Sequence, residues 1–401
     1  MKYSFPEHII DDLDYRVLKN FAKKWGISKI SSKNDAIQSI YTSLNNRDDI
    51  DYELAYQELI LNSVHYTNNR DILTSYISIS RDSILNSSIN NSEKELEPID
   101  YVFDIDNINS ELNIVFRNPS YDNDRLSKLD VVLGKRYDVE RKITKDGREV
   151  FERFDYIWVT IDIDKRKLVI TRHDKSEDEE FTNSVMNVFQ VVTAKLSDMY
   201  GFKVQPSDES ESLYKFFYHL TKDEELHYLD KAKESTDLRN SFSEAINSMY
   251  NFTDLNETQE WNTRLENLIS RRLIRQDFSN FSNRDVDDGK VLKIRFIDDL
   301  GGKVEASAGG ASGNREIDFQ ESDVYFDTKD TIHLAKRLKS ITIQWKLPKY
   351  LLDIDDRIEF LPVKYTVYGQ FYVTHIERFN LLQEVAEYVL PKFEDYKRLS
   401  Y

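Results

Sequence analysis

The chain has 401 residues, of which 32% are charged, and a formal net charge of -17. It contains no cysteine, which excludes disulfides, zinc–thiolate sites and thiol nucleophiles. No window approaches the ~18 consecutive apolar residues of a membrane-spanning helix, so no membrane partner is expected.

The length exceeds one ordinary core, and 40% hydrophobic with 12% aromatic residues suffices for two or three. An acidic surface of this strength opposes wrapping of the whole protein on DNA, so any contact with nucleic acid must be confined to a patch. The opening MKYSFPEHII lacks the long apolar run of a secretory signal, so a cytoplasmic location is expected. Asn, Ile, Lys and Asp are abundant beside only 11 Gly and 7 Pro. That bias suits AT-rich bacterial or phage coding, and with it an anti-phage defence or mobile-element setting.

Residues 1–48 are expected to form a small helical module. Val17, Leu18, Phe21, Ala22 and Trp25 recur on one helical face, and Gly26 follows as a helix-ending residue. Residues 27–32 carry no helical period. Ser31 or Ser32 can then cap a second helix with Ala36, Ile37, Ile40, Tyr41 and Leu44 on its apolar face. No acid lies between Asp14 and Asp35, whereas Arg16, Lys19, Lys23, Lys24, Lys29 and Lys33 do. A cationic interval in an anionic chain suits a polyanion surface. The Trp25-Gly26-Ile27 junction, with Lys33, Asp35, Ile37 and Ile40, resembles the helix–extension–helix modules of the SAP, LEM and Rho N-terminal type. That resemblance implies basic groups meeting nucleic acid, as in SAP and Rho-type modules, or a protein partner held as LEM modules hold theirs.

Residues 49–98 read as a helical connector and linker, with helix from Asp51 to about Leu85 and a polar run from Asn86 to Pro98. Residues 99–206 read as an α+β domain with an antiparallel sheet. Asp146-Gly147 marks a hairpin turn. In Phe151–Asp164, Ile157, Val159 and Ile161 alternate with Tyr156, Trp158 and Thr160. The stripe Phe181, Val185, Val188, Phe189, Val192, Leu196 and Met199 predicts a helix over that sheet, ended by Gly201. Residues 207–285 read as a helical segment. It ends in Arg271, Arg272 and Arg275, which either complement the helix dipole or form a second phosphate-contacting patch. Residues 286–401 read as a second sheet-plus-helix domain, with strands at 341–347 and 363–376 and a helix from Leu381 ended or kinked at Pro391. The expected fold class is therefore α+β, with a small N-terminal helical module and two sheet-plus-helix domains flanking a helical segment. Strands followed by a closing helix at 99–201 and 290–398 suggest a loose repeat.

One constellation could carry a reaction. Asp130 opens a short apolar strand, and Glu140 and Lys142 lie two apart on what reads as the next strand. This D…ExK spacing resembles the core of PD-(D/E)xK nucleases. It implies carboxylates holding Mg²⁺ and a lysine orienting the attacking water; a charged solvent face of a sheet explains the same residues. The Asp-Ile-Asp triplets at 104–106, 162–164 and 353–355 suit solvated strand ends. His219, Asp223 and His227 span about 12 Å of helix rise, too far for one ion, so no metal site is expected there. Gly309-Gly310-Ala311-Ser312-Gly313 lacks the following Lys-Ser/Thr of a P-loop and reads as a flexible hairpin tip. The expected function is docking on nucleic acid through Arg16–Leu44 without a cofactor. The alternatives are a Mg²⁺-dependent nuclease and a non-enzymatic protein-interaction adaptor.

Overall fold

The computed structural model describes residues 15–27, 30–46, 49–66, 70–80, 84, 99–100, 108–142, 148–173, 184–234, 236–250, 255–277, 289–297, 301–307, 318–352, 359–376 and 383–400. The linker at 86–98, the triplets at 104–106 and 353–355, and the glycine-rich stretch at 309–313 lie outside these residues. The main elements in chain order are α1 (Tyr15–Lys24), α2 (Lys33–Asn46), α3 (Ile50–His65), β1 (Arg70–Ser78), β2 (Ile99–Asp100), β3 (Asn113–Asp122), β4 (Arg125–Lys142), β5 (Arg148–Asp162), β6 (Lys167–His173), α4 (Val185–Tyr200), β7 (Lys203–Val204), α5 (Ser210–Lys233), α6 (Thr236–Tyr250), α7 (Leu255–Gln276), β8 (Gly289–Ile297), β9 (Lys303–Ser307), α8 (Asp323–Ala335), β10 (Ser340–Lys346), β11 (Phe360–Tyr368), β12 (Phe371–Ile376) and α9 (Gln383–Lys397). The fold is α+β, and its strand pairings are antiparallel. Among the described residues no helix is long and apolar enough to cross a membrane.

Two compact units divide the chain. The first comprises residues 1–208 and 368–388, the second 209–367 and 389–401. In the first, the strands run in the order β2-β3-β4-β5-β6-β1-β12. Alternation sends Val131, Leu133, Ile157, Val159 and Ile161 to one face, where Val188, Phe189, Val192 and Leu196 of α4 pack. Ser184 caps that helix, its hydroxyl accepting from the Met186 N–H at 3.1 Å, and Gly201 ends it at φ +66°. The opposite side chains, Phe116, Val132, Tyr156 and Trp158, receive the module α1–α3 through residues such as Leu18, Ile40, Tyr52 and Tyr56. Both faces of this sheet are therefore covered.

The expected helix from Asp51 to about Leu85 stops at His65, and residues 70–78 form strand β1 instead. The strand pairs with β6 on one side and β12 on the other, and most of its residues are buried. Its sequence RDILTSYIS sets polar and apolar residues in alternate pairs, with Arg70, Asp71, Thr74 and Ser75 buried, so it shows neither the alternation of a half-buried strand nor a continuous apolar run.

In the second unit the strand order is β9-β8-β10-β11. Phe216 of α5 lies against Trp345 and Tyr365 of this sheet at ring-centroid distances of 5.8 and 5.0 Å. The helical segment at 207–285 thus shares a core, through Phe216, with the strands that follow it. Pro391 neither ends nor breaks α9, which runs on to Lys397. The missing N–H and ring clash cost about 3 kcal/mol, but Phe393 and Tyr396 beyond it are buried against Phe216. Burying two such rings contributes roughly 1.5–3 kcal/mol each, which outweighs the proline.

Candidate functional site

In the N-terminal module, burial and charge lie on opposite sides of α1. Leu18 and Ala22 are fully buried, while Lys19, Lys23 and Lys24 are exposed. The helix ends in a Schellman turn: the Gly26 N–H donates to the Lys23 carbonyl at 3.2 Å and the Ile27 N–H to that of Ala22 at 2.8 Å. Gly26 has φ +70°, where a Cβ would be strained. Of the two candidate caps, Ser32 is used. Its hydroxyl accepts from the Asp35 N–H at 3.1 Å, and the Asp35 carboxylate accepts from the Ser31 N–H at 2.8 Å. The acid that closes the interval is thereby engaged in the capping box. Ser32→Ala should destabilise the module by about 1 kcal/mol, read as a shift of the denaturation midpoint at unchanged slope.

The platform beneath the lysines is fixed by aromatic packing. Tyr52 lies edge-on to Trp25 at 5.1 Å and near Phe21 at 5.7 Å, and its hydroxyl donates to the Ile40 carbonyl at 3.0 Å. Lys19 and Lys23 are one turn apart, so their ammonium groups share a face, and Lys24 flanks them. Among the described residues no carboxylate pairs with Lys19, Lys23 or Lys24. Lys33 is half-buried at the start of α2. Lys29 and the side chain of Arg16 lie outside the described residues.

The arginines of α7 are placed differently. Arg271 donates to Asp327 at 2.7 Å and to Asp323 at 3.2 Å, and Arg275 also pairs with Asp323. Both aspartates belong to α8, so these two guanidinium groups join helices and their charge is met within the fold. Arg272 alone of the three is exposed without such a pair among the described residues. Two of the three guanidinium charges are therefore already paired within the fold.

Asp130, Glu140 and Lys142 do not converge. They lie on one continuous strand, β4, rather than on two. Asp130 sits opposite Thr160 and Glu140 opposite Val150, near the two ends of the β4–β5 hairpin. Ten residues of strand separate them, roughly 33 Å at the usual rise, which is incompatible with one Mg²⁺. Asp130 is buried and engaged, pairing with Lys128 at 2.9 Å and accepting from Thr160 and from the Trp158 indole N–H at 3.3 Å. Asp162 of the second triplet accepts from the Lys165 N–H at 2.8 Å, a turn role. Among the described residues no group of three His, Asp or Glu side chains could hold a metal.

Two constellations went unnoticed in the sequence. Across β6, β1 and β12, Arg172, Asp71 and His375 are register partners in one row. His375 Nδ1 lies 2.9 Å from Asp71, and Arg172 donates to its other oxygen at 3.1 Å. Burial pushes the Asp71 pKa up, but the hydrogen bond from His375 and the charge of Arg172 outweigh it, holding the carboxyl below its ordinary value.

The second is a cleft of about 810 Å³ in the second unit, lined by α5, α7 and α8. At its floor Glu225 accepts from Lys329, from the Tyr325 hydroxyl and from the Gln320 amide at 3.2 Å. Beside them His333 Nδ1 lies 2.7 Å from the Tyr214 hydroxyl. Burial, helped by Lys329 and Lys336, lowers the His333 pKa to about 4, while burial pushes Tyr214 up to about 12. The hydroxyl and Nδ1 are thus paired while both groups are neutral. One signal was legible: Tyr325, Lys329 and Ile332 occupy one stripe of α8, and a lysine at a core position requires a buried partner. No protein-family model matches this chain, and no curated protein does either.

Proposed function

We propose that the protein docks on nucleic acid through the lysine face of α1. The observation that carries this reading is the set of exposed ammonium groups of Lys19, Lys23 and Lys24, held on a rigid module and met by no carboxylate among the described residues, in a chain of net charge -17. Three lysines on a fixed surface suit the phosphate backbone and carry no base information, so contact independent of sequence is expected. A bacterial cytoplasmic setting in defence or a mobile element belongs to the same proposal, with composition as its support. The nuclease alternative loses its basis in the separation of Asp130 from Glu140.

The test is binding to labelled duplex DNA, single-stranded DNA and RNA across a salt series. For the Lys19→Gln/Lys23→Gln/Lys24→Gln variant, affinity should fall and the log–log salt slope should flatten by about 2–3, since each phosphate contact contributes about 0.9 on duplex DNA. Absence of binding by the wild type at low salt, or an identical slope in the variant, overturns the reading.

A further inference from the structure

We propose that the cleft of the second unit binds a small organic phosphate bearing one flat apolar ring, of the size of a nucleotide. Its volume of about 810 Å³ falls within the roughly 300–1,000 Å³ of small-molecule sites. Leu226 and Leu334 line it while remaining 45% and 63% exposed. With Leu229 and Tyr218 they give an apolar wall open to solvent, against which a ring can lie.

The charge balance selects the other half of the ligand. Five cationic side chains line the cleft against three acidic ones, in a molecule that is otherwise strongly anionic. Each acid is already engaged: Glu225 by Lys329, Glu266 by Arg239, and Asp330 by the Asn267 amide at 2.7 Å. Lys222, Arg264 and Lys336 are distributed around the wall, with Lys233 at its edge in an exposed pair with Asp230 at 3.6 Å, which suits several oxygens of one multiply charged group. Aromatic rings steady two of them, with Lys222 5.1 Å from the centre of Tyr218 and Arg264 5.2 Å from that of Trp261.

The experiment is calorimetric titration of the full chain with AMP, GMP, UMP and ATP, with inorganic phosphate and adenosine as separate halves of the ligand. At least one nucleotide should bind more tightly than either half. Lys222→Gln/Lys336→Gln, two lysines on the wall rather than in the buried network, should weaken that binding by about tenfold or more. Circular dichroism and an unchanged denaturation midpoint establish that this variant folds. Lys19→Gln/Lys23→Gln/Lys24→Gln should bind nucleotide as the wild type does, which separates this site from the nucleic-acid face of α1. No heat from any nucleotide at millimolar concentration overturns the proposal. So does binding that survives in the cleft variant or disappears in the α1 variant.

Discussion

Lys329→Met should destabilise the second unit by about 3–5 kcal/mol. The Lys329 and Glu225 side chains are 8% and 3% exposed, so the substitution leaves a carboxylate without its cation in a site nearly closed to water. The Tyr325 hydroxyl and the Gln320 amide still donate to Glu225, but neutral dipoles do not replace a full charge. Burial and the Glu225 charge already hold the Tyr325 pKa well above its ordinary value, so the phenol cannot release a proton to help. The pair itself contributes far less than this loss suggests, because both ions were taken out of water to form it. Lys329→Met/Glu225→Gln should therefore recover more than half of the deficit, the amide oxygen still accepting from Tyr325. Guanidinium unfolding of the wild type, both single variants and the double variant measures the cycle. A loss below 1 kcal/mol in Lys329→Met would show that the site is wet enough to solvate Glu225 alone.

That pair also marks where sequence reasoning stops. Local signals were legible. Gly26 ends α1, a serine caps α2, the stripe from Val185 to Leu196 makes α4, and Ile157, Val159 and Ile161 face it from β5. Each of these rests on contacts within a few residues or on one amphipathic period. Strand β1 was not legible, because its polar residues Arg70, Asp71, Thr74 and Ser75 are buried and find their partners on distant strands, so no apolar period marks it. The continuity of β4 was hidden by the polar residues at its outer end, Lys135 to Lys142, which read as a separate strand although they pair without interruption with β5. Division into units was hidden for a third reason. Residues 372–375 pair with 71–74, some 300 positions away, and no local pattern encodes such a partner. The cleft needs α5 and α8 to meet across about a hundred residues, so the pairing of Lys329 with Glu225 could not be named from the sequence.

Acid should weaken the second unit through His333 in a window set by its two pKa values, about 4 in the fold against an ordinary 6.5. The folded value is depressed, chiefly by burial and then by the positive charges of Lys329 and Lys336. Above pH 6.5 both folded and unfolded chains carry neutral histidine, and the residue contributes no pH dependence. Between 6.5 and 4 the unfolded chain takes up a proton that the folded one refuses, so stability falls steadily with pH. Below 4 both are protonated and the loss is complete, at about 2–3 kcal/mol for a half-buried ring. Carboxylates elsewhere add their own acid dependence, which a comparison of variants cancels. His333→Gln keeps an acceptor for Tyr214 and cannot titrate. Relative to the wild type it should gain about 2 kcal/mol on going from pH 7.5 to 4.5, measured by denaturant unfolding at both values. Parallel pH profiles for the two proteins would mean that water reaches the ring freely, and that the floor of the cleft is open rather than enclosed.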